Sequence, residues 1–406
     1  MTPIKIKRIF WVDPNLTKDF GHPIEATNAV KNYFTLDRSK RFLIITNKIA
    51  DESVGQIVNK FFPTITNTCF INLDNNGEIF YRDLLSLHKR FSFSPSDLII
   101  ISTCFTNEIM GVGKFSARTR LNLKIVLILH QLLPPAPEFL LTTTFGYRKI
   151  WENKLKKSLT SIKKFYPLIS VWTTESQKLN NSLNAISSFK IGRLPLPISF
   201  YPEYLTPLVR NHNSITISFL GDGRYEKGLL LLMRAILTTP LLEVNFILQN
   251  VNARGYSPSE YQLFLRLKNE LSSINNVSFI NKSLGHRSFH KEVSQADIII
   301  FPYHPLSYDC RISGVYIQAV MYRKLCIVSA NTWLAEQARK FKSGLIFNYH
   351  LKNSQQVVKN IGNAIKKAIE THDKYAVSVA KQSEIYRKIN SPMIFFKEIY
   401  RYYKLK

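Results

Sequence analysis

Short apolar runs rich in β-branched residues recur along this chain, separated by longer stretches with helical spacing. They fall at Ile4–Val12, Arg41–Thr46, Asp97–Ser102, Lys124–Leu129 and Leu168–Thr173, then at Ile215–Leu220, Val244–Gln249, Val277–Ile280, Asp297–Phe301, Leu325–Ser329 and Gly344–Phe347. Most are apolar at successive positions and so have no solvent face. Such runs suit parallel strands covered by helices on both sides. The alternation predicts βαβ units and doubly wound sheets, an α/β fold.

At 406 residues the chain exceeds what one core comfortably organises, so two domains are expected. The alternation breaks at Leu194–Asn213, LPLPISFYPEYLTPLVRNHN, whose prolines and polar residues read as a linker. We place one domain at 1–200, a second at 201–385, and a last aromatic helix within 386–406. No apolar run is long enough to cross a bilayer, and the N-terminal stretch reads as a first strand, not a signal peptide. Cys69, Cys104, Cys310 and Cys326 show no short pairing pattern and read as reduced thiols of a cytoplasmic protein. With 55 Lys and Arg against 28 Asp and Glu, the formal charge of +27 predicts an anionic partner. Charge alone does not argue for nucleic acid, and no zinc finger, RNP-like strand or helix-turn-helix pattern supports it.

Two segments carry chemistry. Ser218–Arg234, SFLGDGRYEKGLLLLMR, reads as a strand, a glycine-rich turn and a helix start. Gly221, Gly223 and Gly228 would leave the turn's backbone open to phosphate oxygens, with Arg224 supplying a planar fork and Lys227 a point charge. The spacing matches neither a Walker loop nor GxGxxG, and an ordinary turn with solvated charges is the plain alternative. Ala296–Ala335 ends a buried strand at Pro302 and leads through Asp309, Arg311, Ser313 and Gly314 into a helix. Ser313 is a candidate N-cap. The N–H groups near Ser313–Val315 would face phosphate, and Gln318, one turn in, a ribose hydroxyl. Tyr303 and Tyr308 read as loop packing. The segments lie about three βα units apart, so one sheet can bring both to one crevice.

These residues, strand–GDGRYEKG–helix followed by ADIIIFPY, RISGVYIQAV and LCIVSANTW, resemble the C-terminal domain of retaining GT-B glycosyltransferases of the family 4 type, in the form found in bacterial surface-polysaccharide assembly. The resemblance is good over about 215–350 and weaker before it. It implies two Rossmann-like domains facing a cleft, the N-terminal one binding acceptor and the C-terminal one nucleotide sugar, with a final helix crossing back to the first. Arg224 and Lys227 would bind the donor diphosphate. Gly21 and His22 occupy the family's glycine-bearing loop after strand one, and His130 matches a histidine that often contacts sugar. The implied donor is UDP- or GDP-linked and the acceptor a lipid-linked or growing glycan. The basic pair would replace a metal, and the chain has no Asp-x-Asp. Transfer would retain configuration by front-face attack. The family's Glu-x7-Glu pair is absent: Gln318 and Cys310 stand there, with Asp309 adjacent. The alternatives are thus a degenerate nucleotide- or glycan-binding GT-B protein and, with less support, an epimerase.

Other features read as structural. Glu25 and Glu175 are expected at the surface. His286 and His290, four apart, suit one helix face and are expected to be solvated. Tyr147–Tyr166 places Trp151, Leu155, Leu159 and Ile162 on one stripe among lysines. The stripe is expected in the core, with the lysines drawing the chain to the inner, anionic face of a membrane.

Overall fold

The computed structural model describes residues 5–19, 21–37, 39–58, 60–66, 76–131, 144–205, 214–239, 244–251, 253 and 255–405. The chain divides into two compact units. The first gathers Met1–Pro135, Phe145–Ser199 and Ile389–Lys406, and the second is built on Phe200–Lys388. Cys69 and residues 206–213 of the expected linker lie outside the described residues.

The first unit runs β1 (Arg8–Asp13), α1 (His22–Leu36), β2 (Arg41–Asn47), α2 (Glu52–Val58), β3 (Phe62–Ile65), α3 (Glu78–Phe91), β4 (Asp97–Ile101), α4 (Thr106–Thr119), β5 (Lys124–Leu129), α5 (Thr144–Ile162), β6 (Ile169–Thr173), α6 (Gln177–Ile186) and β7 (Gly192–Arg193). Its strands form one parallel sheet in the order β3-β2-β1-β4-β5-β6-β7. Every residue of β4, β5 and β6 is buried, as a parallel sheet covered on both faces requires. The edge strands β3 and β7 escape the sequence reading for a physical reason. An edge strand needs no apolar run and tolerates the proline at Pro63.

The second unit runs β8 (Ile215–Phe219), α7 (Leu229–Thr238), β9 (Val244–Gln249), α8 (Pro258–Ser272), β10 (Val277–Ile280), α9 (His286–Gln295), β11 (Ile298–Phe301), α10 (Pro305–Tyr308), α11 (Gly314–Met321), β12 (Leu325–Ser329), α12 (Trp333–Phe341), β13 (Gly344–Phe347), α13 (Ser354–Thr371) and α14 (Ala376–Ile389). Its sheet is also parallel, in the order β10-β9-β8-β11-β12-β13. Both orders reverse after the first strand of the unit, which puts a switch point at β1/β4 and another at β8/β11. Helix α13 buries Val357, Ile361, Ala364, Ile365 and Ala368 at helical spacing. It passes so near Thr239 that a Cβ on Gly362 would lie 2.3 Å from the Thr239 hydroxyl oxygen.

The last helix, α15 (Pro392–Tyr403), belongs to the first unit, as expected. Phe395, Phe396 and Ile399 are its buried face, and Phe395 meets Trp11 edge-on at 5.9 Å. The Tyr403 hydroxyl lies 2.9 Å from the carbonyls of Ile125 and Leu168 and 2.8 Å from Ser170 Oγ.

The proline-rich stretch departs from the linker reading. Leu194–Ser199 is buried throughout and belongs to the first unit. Pro195 and Pro197 carry no N–H, so few donors need partners there. The N–H of Leu196 reaches Glu175 Oε1 at 3.1 Å, that of Ser199 reaches Glu25 Oε1 at 2.7 Å, and that of Ile198 reaches the Asn390 carbonyl at 3.0 Å. Glu25 and Glu175 are therefore interior acceptors for an extended segment, not surface groups.

In α5 the stripe Leu155, Leu159 and Ile162 is core, while Lys149, Lys156 and Lys157, and Lys163 and Lys164 just after the helix, face solvent. His286 and His290 are both buried on α9 instead of solvated. No described helix is long and apolar enough to cross a membrane. Cys104, Cys310 and Cys326 are buried thiols.

Candidate functional site

The second unit brings most of the predicted phosphate residues together at the β8/β11 switch point. Gly221 follows β8 with φ of 113° and Gly228 precedes α7 with φ of 73°, values an L side chain rarely adopts. A Cβ on Gly228 would also meet the Pro302 carbonyl oxygen at 2.0 Å, which locks this turn against the end of β11. Between them, Tyr225–Lys227 forms a single 3₁₀ turn.

The turn differs from the expectation of an open, amide-lined loop. The N–H of Gly221 is bound to Gln249 Oε1 at 2.6 Å, that of Gly223 to the Val251 carbonyl at 2.6 Å, and that of Gly228 to the Tyr225 carbonyl at 2.9 Å. Its resource is side-chain charge. Lys227 Nζ lies 2.5 Å from Asp222 Oδ1, and Arg224 Nε lies 2.7 Å from Asp222 Oδ2. Arg224 also pairs with Glu226 Oε1 at 2.7 Å, and Arg311 approaches the same oxygen at 2.9 Å. The cations are not solvated, as the plain alternative held; Lys227 is buried and Arg224 largely so. Burial pushes the Asp222 carboxyl up, but Lys227 and Arg224 outweigh it and hold the group well below the usual carboxylate range. Burial likewise raises Glu226, and Arg311, Arg224 and Lys227 bring it below its ordinary value.

Arg311 joins the two predicted segments, and Val315 Cγ2 would lie 3.9 Å from a Cβ on Gly221. Ser313 caps α11 by accepting from the Tyr316 N–H at 3.3 Å. Gly314 and Val315 are the first helical residues, where N–H groups have no intrahelical acceptor. Beneath the cations, Lys227 stands 5.9 Å over the Tyr303 ring and Arg311 5.0 Å over Tyr308. These two rings are 4.3 Å apart and buried, packing as expected.

Asp309 and Gln318 are the other predicted residues of this unit. Asp309 ends α10 as its C-cap, half-buried. Gln318 is buried, with Nε2 3.3 Å from His290 Nε2, while His290 Nδ1 meets the Tyr322 hydroxyl at 2.9 Å. This contact ties α11 to α9.

In the first unit, His22 and His130 line one cavity of about 20 Å³, room for about one water, with Trp11, Asp13, Ser102, Thr174 and Phe395 among its walls. Gly21, exposed with φ of 84°, is the N-cap of α1 directly before His22. His130 donates from Nε2 to the Ser102 carbonyl at 2.6 Å, which sets its tautomer. Asp13 is the group the sequence reading missed. Its Oδ2 accepts from the Ser102 hydroxyl at 2.7 Å and its Oδ1 from the Asn15 N–H at 2.9 Å. Burial, opposed by these bonds, pushes its carboxyl up to about 6. Its position at the end of β1 was the available signal. Glu175 is pushed up to about 7, because burial outweighs the backbone bonds from Leu196 and from its own N–H.

Compared by sequence, the chain matches no protein-family profile and no curated relative. Solved structures do match it over nearly their whole length. A sucrose-phosphate synthase from Thermosynechococcus elongatus superposes with TM-score 0.67 at 15% identity, covering 97% of this chain and 98% of that one. Anabaena HepE in complex with UDP and glucose gives 0.66 at 15% identity, with the same coverage. A glycosyltransferase from Rickettsia africae gives 0.63 at 14%, covering 98% of each chain. What these likenesses share is architecture: the chain has the GT-B fold, with two Rossmann-like domains and a C-terminal helix returned to the first.

Proposed function

We propose that the chain is a glycosyltransferase that moves a hexose from a UDP- or GDP-linked donor to a lipid-linked or growing bacterial surface glycan, with retention and without a metal. The observation that carries the reading is the convergence of Arg224, Lys227 and Arg311 beside the N-terminus of α11 at the β8/β11 switch point. Ligands of open α/β sheets bind at such points. Three cations placed there suit a leaving diphosphate, on which negative charge grows as the anomeric C–O bond breaks. The electron pair of that bond goes to the diphosphate oxygen. The acceptor hydroxyl forms the new bond from the same face, and its proton passes to the leaving diphosphate. Among proteins of like fold, Anabaena HepE binds UDP and glucose, which supports a nucleotide-sugar donor here.

The first unit's cavity, where Asp13, His22 and His130 meet beside Trp11, has room for about one ligand hydroxyl. The exposed lysines of α5 and the net charge of +27 support electrostatic attachment to the inner face of an anionic membrane. A catalytically degenerate binding protein is the second reading. Gln318 and Cys310 favour it, since both are buried and neither supplies a carboxylate.

The test is a thermal-shift screen of the whole chain with UDP-, GDP-, dTDP- and CMP-sugars in EDTA, repeated on Lys227→Ala. A shift for one base that is lost in the variant supports the donor site. Incubation with that donor and a lipid-linked glycan acceptor, followed by anomeric analysis of the product, tests transfer and retention. Binding without transfer would favour the degenerate reading. No shift with any donor, from protein that melts cooperatively, would sink the donor-site reading.

A further inference from the structure

The cations of the β8–α7 turn already hold an anion of their own. Asp222 bridges Lys227 and Arg224, at 2.5 and 2.7 Å, and Glu226 bridges Arg224 and Arg311, at 2.7 and 2.9 Å. The two carboxylates are not equivalent. Glu226 is buried inside the 3₁₀ turn, and its carbonyl accepts from the His304 N–H at 2.8 Å. Its carboxylate is enclosed, with a side chain only 6% exposed. Asp222 has a side chain 23% exposed and stands between Gly221 and Gly223. The Arg224 fork is shared between two carboxylates, Asp222 at Nε and Glu226 at Nη1.

We propose that Asp222 is an internal stand-in for the donor diphosphate: it occupies Arg224 and Lys227 in the empty protein, is displaced when the diphosphate binds, and returns as the nucleoside diphosphate leaves. This rests on the reading of the turn as a diphosphate site. The consequence is a threshold. A ligand must supply more than phosphate charge to displace a carboxylate already in place, so inorganic pyrophosphate is excluded and the spent nucleoside diphosphate is released more readily. Glu226 has the opposite part. It is a positioning residue that holds Arg224 and Arg311 side by side.

Calorimetric titration of the whole chain with UDP, GDP and pyrophosphate tests this, using wild type, Asp222→Asn, Asp222→Ala, Glu226→Gln and Lys227→Ala, each first shown to melt cooperatively. Both Asp222 variants are expected to bind the preferred nucleoside diphosphate at least fivefold more tightly and to acquire measurable pyrophosphate binding. The ligand-free melting midpoint of each should fall, because the stand-in ion pairs are gone. Glu226→Gln is expected to bind more weakly than wild type, though it removes the same formal charge. If wild type binds a nucleoside diphosphate and the Asp222 variants bind it equally or less tightly, the stand-in is refuted while the diphosphate reading survives. Equal tightening by Glu226→Gln would also refute it, since net charge would then explain everything. If no protein of the set binds any nucleoside diphosphate, both ideas fall together.

Discussion

Glu175 offers a test that is independent of function. Its carboxyl is buried under Leu194–Ser199 and accepts from the Leu196 N–H, and its Oε2 has no partner among the described residues. Burial raises it from an ordinary value of 4.5 to about 7 in the folded chain. The folded state therefore holds this proton more tightly than the unfolded state does. The stabilisation is fully present below about pH 4.5 and is lost as pH rises through about 7. At about 1.4 kcal/mol per pH unit, the interval amounts to about 3 kcal/mol, most of it falling between pH 5 and pH 8. Glu175→Gln keeps an acceptor for Leu196 and cannot ionise, so its stability relative to wild type should improve by about 2 kcal/mol or more from pH 5 to pH 8. Urea unfolding of both proteins at the two pH values measures this. Comparing the pH change within each protein removes any fixed cost of the amide. A stability difference that is the same at both pH values would refute the argument, because it would mean that the carboxyl ionises freely in the fold.

Two further predictions rest on geometry. Gly228→Ala combines a φ of 73° with a Cβ placed 2.0 Å from the Pro302 carbonyl oxygen. It should cost at least about 2 kcal/mol in chemical denaturation, whereas most surface substitutions stay within about half of one. Reversing Lys156, Lys157, Lys163 and Lys164 to Glu, all exposed around α5, should leave the melting midpoint nearly unchanged. It should lower binding to phosphatidylserine vesicles at least tenfold, since each juxtamembrane lysine contributes about 1 kcal/mol. Unchanged vesicle binding would remove α5 from the membrane argument.

How much of the site was legible depended on distance along the chain. Ser313 capping α11, and the meeting of Arg311 with the Gly221–Gly228 turn, followed from spacing, because a parallel sheet fixes where successive strands end. The partners of the cations were legible too and were passed over. In Asp222-Gly-Arg-Tyr-Glu-Lys227, opposite charges recur within reach of one another, which is itself the pattern of a closed ion cluster. The histidines of α9 were misplaced because one helical face meets another that sequence spacing does not reveal. Glu25 and Glu175 looked exposed because their partners are backbone N–H groups of a proline-rich stretch, and such a stretch carries no signal of where it docks.

By itself the sequence determined the doubly wound α/β architecture and the helical stripe of α5, while the return of the last helix was implied by the family resemblance. The first two follow from local periodicity, and burying apolar faces of period two or 3.6 leaves few ways to pack. Only the tertiary structure decided which charges are spent and which remain for a ligand. Coulomb pairing and desolvation depend on separations of a few ångströms between residues such as Glu226 and Arg311, 85 positions apart. Sequence order carries no record of those distances.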